Sequence, residues 1–122
     1  MAERNERRKE SRKKLMAFTP VYDQKKDILL GYIRDLTLQG ALVIGEKPLA
    51  IDSKTTLSME LPGGLPSIKA THLTISARVA RCVEDESPQN FKIGFEFIDV
   101  EAEQTEIIQA LLERYRFHHK IK

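Results

Sequence analysis

Two short segments of this chain carry residue types able to hold an anion and to select a hydrogen-bonding edge. Arg7-Arg8-Lys9-Glu10-Ser11-Arg12 contains an Arg-x-x-x-Arg pair at Arg8 and Arg12. A guanidinium can bond phosphate bidentately, bond guanine O6 and N7 as a fork, or stack its plane on a purine, whereas lysine does only the first and less well. Arg4 and Arg8 satisfy the same spacing; Arg12 lies closer to the first apolar segment that would anchor the arm, which favours the Arg8 and Arg12 register. Arg7 adds a third guanidinium. The other segment is Asp35-Leu36-Thr37-Leu38-Gln39-Gly40. Its carboxylate accepts N–H groups, its hydroxyl both donates and accepts, and its glycine suits a turn where positive φ or a missing Cβ lets a ligand lie against the main chain. The competing reading of the same residues is turn chemistry alone, with Asp and Thr bonding nearby amides and Gly closing the turn.

The elements that must position these segments follow from the apolar pattern. In Phe91-Lys92-Ile93-Gly94-Phe95-Glu96-Phe97 the odd positions are large and apolar, so one face is core and the strand is predicted to be central. Leu73, Ile75, Ala77 and Val79 form a second odd-numbered face, which Arg81 breaks, and a bulge near Ala80 would restore the phase. Leu57, Met59 and Leu61 give a third strand ending at the turn Pro62-Gly63-Gly64. Further strands are predicted at 28–34 and 41–44, with 15–22 before them, so the Asp35 segment is the turn of a hairpin. Many short strands in few residues favour a closed barrel, because closure removes exposed edges. After Asp99, a plausible N-cap, the period becomes helical through Val100, Ile107, Ile108, Leu111, Leu112 and Tyr115. Glu101 and Glu103 suit the start of that helix, and Arg114, Arg116, His118 and Lys120 suit its end. The expectation is an all-β fold, a small antiparallel barrel of about six strands with a C-terminal α-helix and a flexible basic N-terminal arm. The arm is assigned to 1–14, the barrel to 15–98 and the helix to 99–122, all in a single domain.

Composition narrows the function classes. Of the net charge of +2, residues 1–14 contribute +4, from seven basic and three acidic side chains, so the remainder carries −2. That body is a poor nucleic-acid coat, and the arm has no interleaved aromatic residues for base stacking, so neither DNA nor RNA is expected as a partner. The lone Cys82 can build neither an intrachain disulfide nor a zinc knuckle, and no apolar run is long enough for a signal peptide or membrane span, which predicts a cytoplasmic protein. His118 and His119 are adjacent and do not converge on a metal as an i, i+4 pair would; His72 is isolated and Cys82 has no identifiable base. No catalytic residue, metal ligand or cofactor is therefore assigned, and the chain is not expected to be an enzyme.

The order of the two motifs, with Gly94-Phe95-Glu96-Phe97 as a late Gly-x-x-Phe strand, resembles the PilZ family. The family pairs Arg-x-x-x-Arg with Asp/Asn-x-Ser-x-x-Gly; here Thr37 stands at the Ser position and keeps the hydroxyl. The resemblance spans about Arg7 to Phe97. It implies a bacterial receptor of the second messenger cyclic di-GMP, bound by Arg7, Arg8, Arg12, Asp35, Thr37 and Gly40. Asp35 suits guanine because a carboxylate accepts the N1–H and N2–H donors of that base, which adenine cannot supply. The resemblance also implies that the ligand orders the arm over the barrel and switches a surface read by a protein effector, in processes such as motility or biofilm formation. The alternative is a PilZ-like adaptor that binds a protein without nucleotide. An apolar helix stripe fuller than one barrel end requires would serve homodimerisation.

Overall fold

The computed structural model describes residues 14–16, 19–65, 67–86 and 89–117 of the chain. In chain order the elements are β1 (Lys14–Met16), β2 (Pro20–Asp23), β3 (Ile28–Leu36), β4 (Gly40–Gly45), β5 (Lys54–Glu60), β6 (His72–Glu84), β7 (Phe91–Phe97), α1 (Ala102–Arg114) and β8 (Tyr115–Phe117). Strands β2 to β7 close into a six-stranded barrel in the order β2-β3-β4-β7-β6-β5. It consists of two antiparallel meanders, β2-β3-β4 and β5-β6-β7, joined along both sides by the antiparallel pairs β4–β7 and β2–β5. Closure leaves none of these six strands with an unpaired edge.

Local chemistry explains the corners. The carboxylate of Asp23 caps the β2–β3 turn, its Oδ1 accepting the N–H groups of Lys25 at 3.0 Å and Lys26 at 3.1 Å. The hydroxyl of Thr55 on β5 donates to the other oxygen at 3.0 Å, so one side chain fastens the turn to the strand across the barrel seam. Burial pushes the Asp23 carboxyl up, but the N–H of Lys26, the Thr55 hydroxyl and the N–H of Lys25 outweigh it and hold the group below its ordinary value. On β6 the register against β7 shifts between Val79 and Arg81, so the bulge lies at Ala80 as the pattern predicts. Before it Leu73, Ile75, Ala77 and Val79 point into the core; beyond it the half-buried position is Cys82. The odd positions of β7 behave as expected too, with Ile93, Phe95 and Phe97 buried and Phe91 packed against the same cluster.

Three expectations need correction. The segment 15–22 is not one barrel strand: β1 lies outside the barrel and pairs in parallel with β8, with Leu15 opposite Arg116, and only β2 enters the barrel. The helix does not run over 99–122 but stops at Arg114, where the chain turns extended at Tyr115 to pair with β1. Its N-cap is Glu101, not Asp99. Asp99 has φ 51, in the left-handed region, whereas a cap residue is extended, as Glu101 is at φ −90 and ψ 162. The Gln104 side chain accepts the Glu101 N–H at 2.7 Å and donates to the Thr74 carbonyl at 2.7 Å, tying the start of α1 to β6. Ile107, Ile108 and Leu111 then bury their side chains in the same core as the barrel residues. Among the described residues no helix is long and apolar enough to cross a membrane.

Candidate functional site

Asp35 comes near the end of β3, immediately after a register shift against β4 that falls between Ile33 and Asp35. The shift makes Arg34 the extra residue and sets Asp35 opposite Leu42. One oxygen of Asp35 accepts the N–H of Leu36 at 2.9 Å. The turn that follows is locked by Thr37. Its Oγ1 accepts the N–H groups of Gln39 and Gly40, each at 3.1 Å, and its own N–H donates to the Gly40 carbonyl at 2.9 Å. The hydroxyl proton has only a long contact, 3.4 Å, to the same carbonyl. Thr37 therefore does turn work first, and its hydroxyl proton is the part left most available to a ligand.

Gly40 is required by the sheet. A Cβ at this position would stand 2.2 Å from the carbonyl oxygen of Phe95 on β7, so a side chain would force the two strands apart. Its φ is not in the left-handed region, so the absent Cβ is the reason for glycine here. Gly94 is different: a Cβ there would meet only the Arg81 Cβ at 3.6 Å, an ordinary contact.

Asp35, Thr37 and Gly40 come together on the wall of an open cavity of about 390 Å³. Leu42 contributes apolar surface, and Arg78 and Glu96 line it from β6 and β7. The last two are functional candidates that the sequence did not single out. Arg78 and Glu96 are register partners; the arginine Nε and Nη2 both donate to Glu96 Oε1, at 3.1 and 2.5 Å. Its Nη1 donates to Asp52 Oδ1 at 2.5 Å. Asp52 reaches it from a turn in the β4–β5 connection with φ 73, held by its N–H to the Val79 carbonyl at 2.7 Å. The bonds to Glu96 and then Asp52 raise the Arg78 pKa above its ordinary value. The available signal was parity, since Arg78 faces outward on β6, but nothing local joins it to a turn that ends at Gly40, far earlier in the chain.

Arg7, Arg8 and Arg12 lie outside the described residues, as do His118 and His119. The strand that follows the arm is placed, however. β1 pairs with β8, and β8 contacts both α1 and β3, the strand that bears Asp35. A second cavity of about 680 Å³ lies against the outer face of the β3–β4 hairpin, where Ile28, Leu29 and Tyr32 are exposed. Among the described residues no group of His, Cys, Asp and Glu is placed to hold a metal.

The barrel is similar to two solved structures. The Bacillus subtilis inhibitor of motility, MotI/DgrA, matches with a TM-score of 0.62 at 19% identity, over 81% of this chain and 46% of that one. This chain thus spans less than half the length of that protein. The PilZ domain of YcgR from Escherichia coli, solved with c-di-GMP, matches with a TM-score of 0.56 at 13% identity, over 80% of this chain and 81% of that one. At such identities the likeness is one of fold. Comparison with curated protein sequences yields no match. The family model described as the PilZ domain matches residues 6–114, nearly the whole chain, and the chain belongs to the PilZ domain family.

Proposed function

We propose that this PilZ domain is a receptor for cyclic di-GMP that acts by binding and releasing its ligand unchanged. The observation that carries the reading is the carboxylate of Asp35 on the wall of an open cavity beside a turn locked by Thr37. Asp35 accepts the N1–H and N2–H of a guanine, and the Thr37 hydroxyl donates to base or phosphate. The charged residues among the described lining are Asp35, Glu96 and Arg78, a sum of −1, so this wall alone repels a dianion. The neutralising charge comes from Arg8 and Arg12 in an arm whose 14 residues carry +4. The pairing of β1 with β8 beside β3 supports an arm that starts within reach of the cavity. Arg7 stacks on a second guanine and admits an intercalated ligand dimer. Drawing the arm across the barrel alters a surface that an effector protein reads.

Isothermal titration with cyclic di-GMP tests this, with cyclic di-AMP as the control for base selection. Arg8→Ala, Arg12→Ala and Asp35→Ala are each expected to weaken binding roughly tenfold to a hundredfold, the usual cost of a hydrogen bond to a charged partner. Two ligands per protomer, falling to one in Arg7→Ala, support the dimer. No heat with the wild type would end the receptor reading in favour of a nucleotide-free adaptor, which the exposed Ile28, Leu29 and Tyr32 would then serve.

A further inference from the structure

We infer that Arg78, which belongs to neither sequence motif, is a specificity residue of this site that reads the O6 and N7 edge of a guanine from the barrel wall. The inference rests on the receptor reading above and adds a second point of base recognition to it. Arg78 is the one cation among the described residues that line the cavity, and it faces the site from β6 while Asp35 faces it from β3. A guanidinium has five N–H donors, and three are engaged, by Glu96 twice and Asp52 once. One N–H on each terminal nitrogen remains, the number of donors that the paired acceptors O6 and N7 of guanine require. Adenine presents a donor in place of O6 and cannot satisfy both.

The two carboxylates explain why this arginine can discriminate. A free arginine would lose much rotamer freedom on gripping a base, but here the backbone of β6 and β7 sets Arg78 directly opposite Glu96, and the turn at Asp52 holds the other end of the fork. The guanidinium is thus preorganised before the ligand arrives. The carboxylates also cancel its charge, so Arg78 adds direction to the site more than attraction for phosphate. Its side chain is 34% exposed, so its donors remain within reach of a ligand in the cavity. Asp35 and Arg78 would take adjacent edges that meet at O6, the first the Watson–Crick donors and the second the Hoogsteen acceptors.

The test is calorimetric titration of the full chain with cyclic di-GMP and with its 7-deazaguanine analogue, which lacks the N7 acceptor. For the wild type the analogue is expected to bind about tenfold more weakly. Arg78→Ala should weaken cyclic di-GMP by a similar factor and should shrink the penalty for the analogue at least threefold, a change that mere loss of structure would not produce. Arg78→Lys, which keeps the charge and the ion pairs, carries the same test should the alanine variant fold poorly, because one ammonium cannot reproduce the fork. An unchanged analogue penalty in both variants, with the wild type binding cyclic di-GMP, would overturn the role of Arg78 and leave the receptor reading intact. Absence of wild-type binding overturns both.

Discussion

At the residue scale, the side chains of the candidate binding motif also serve the fold of the hairpin turn. Thr37 accepts two backbone N–H groups, and Gly40 makes room for the Phe95 carbonyl, so both would be wanted here with no ligand at all. Asp35 also takes part in the local fold, accepting the Leu36 N–H. The expected effects of substitution differ. Gly40→Ala should destabilise the protein by about 1–3 kcal/mol, because the added Cβ must displace a strand backbone. Thr37→Ala should cost about 1 kcal/mol, and Thr37→Ser, which retains the acceptor, within about 0.5 kcal/mol. Urea unfolding measures all three. A Gly40→Ala protein as stable as the wild type would show that the β4–β7 approach is looser than the 2.2 Å separation implies. The turn reading was legible in Asp-x-Thr-x-x-Gly. The bulge at Arg34 and the contact between Gly40 and Phe95 were not, because both depend on which strands lie alongside.

At the element scale, the informative departure is the pairing of β1 with β8. The pair joins Lys14 to Tyr115, roughly a hundred residues away, and each strand has three residues, too few to display a period of two. Nothing local announces the end of α1 either: no Gly or Pro follows Arg114, so the sequence lacks the usual stop signals. A partner strand available only in the folded chain converts Tyr115–Phe117 from helix to extended backbone. Deleting residues 115–122 removes that partner. Limited proteolysis of the truncated chain should then cut N-terminal to Thr19 several-fold faster while leaving the barrel protected, and titration should find weaker binding of cyclic di-GMP, since the root of the arm is no longer held. Equal cleavage rates in the two chains would show that β8 does not secure β1. The elements with long alternation, β6 and β7, were read correctly even to the bulge at Ala80, because parity itself reports a change of face.

At the scale of the whole molecule, one core serves barrel and helix. Ile108 and Leu111 are fully buried, in the same cluster as Val43, Val79 and Ile93 from three different strands. The helix therefore belongs to the cooperative unit, and Leu111→Ala should lower stability by about 2–5 kcal/mol, the usual range for a buried leucine with its residual cavity. Chemical denaturation should show this as a lower midpoint with an unchanged slope. A loss under about 1 kcal/mol would mean that α1 is a peripheral attachment. Charge is distributed unevenly at the same scale, the described charged residues of the cavity wall summing to −1 and residues 1–14 to +4.

The sequence by itself determined the strand-rich class, the inward faces of β5, β6 and β7, the hairpin position of Asp35 and the resemblance to the family. These follow from side-chain alternation and turn chemistry, which act between residues close together in the chain. Tertiary structure alone decided how the two meanders close on each other, where the helix ends, and which side chains face Asp35 across the cavity. Arg78 and Glu96 reach that site because β4 pairs with β7 and β7 with β6, and Asp52 because its turn is bonded to β6. Pairing between strands distant in sequence is set by the free energy of burying a shared core, a quantity of the whole chain that no local pattern encodes.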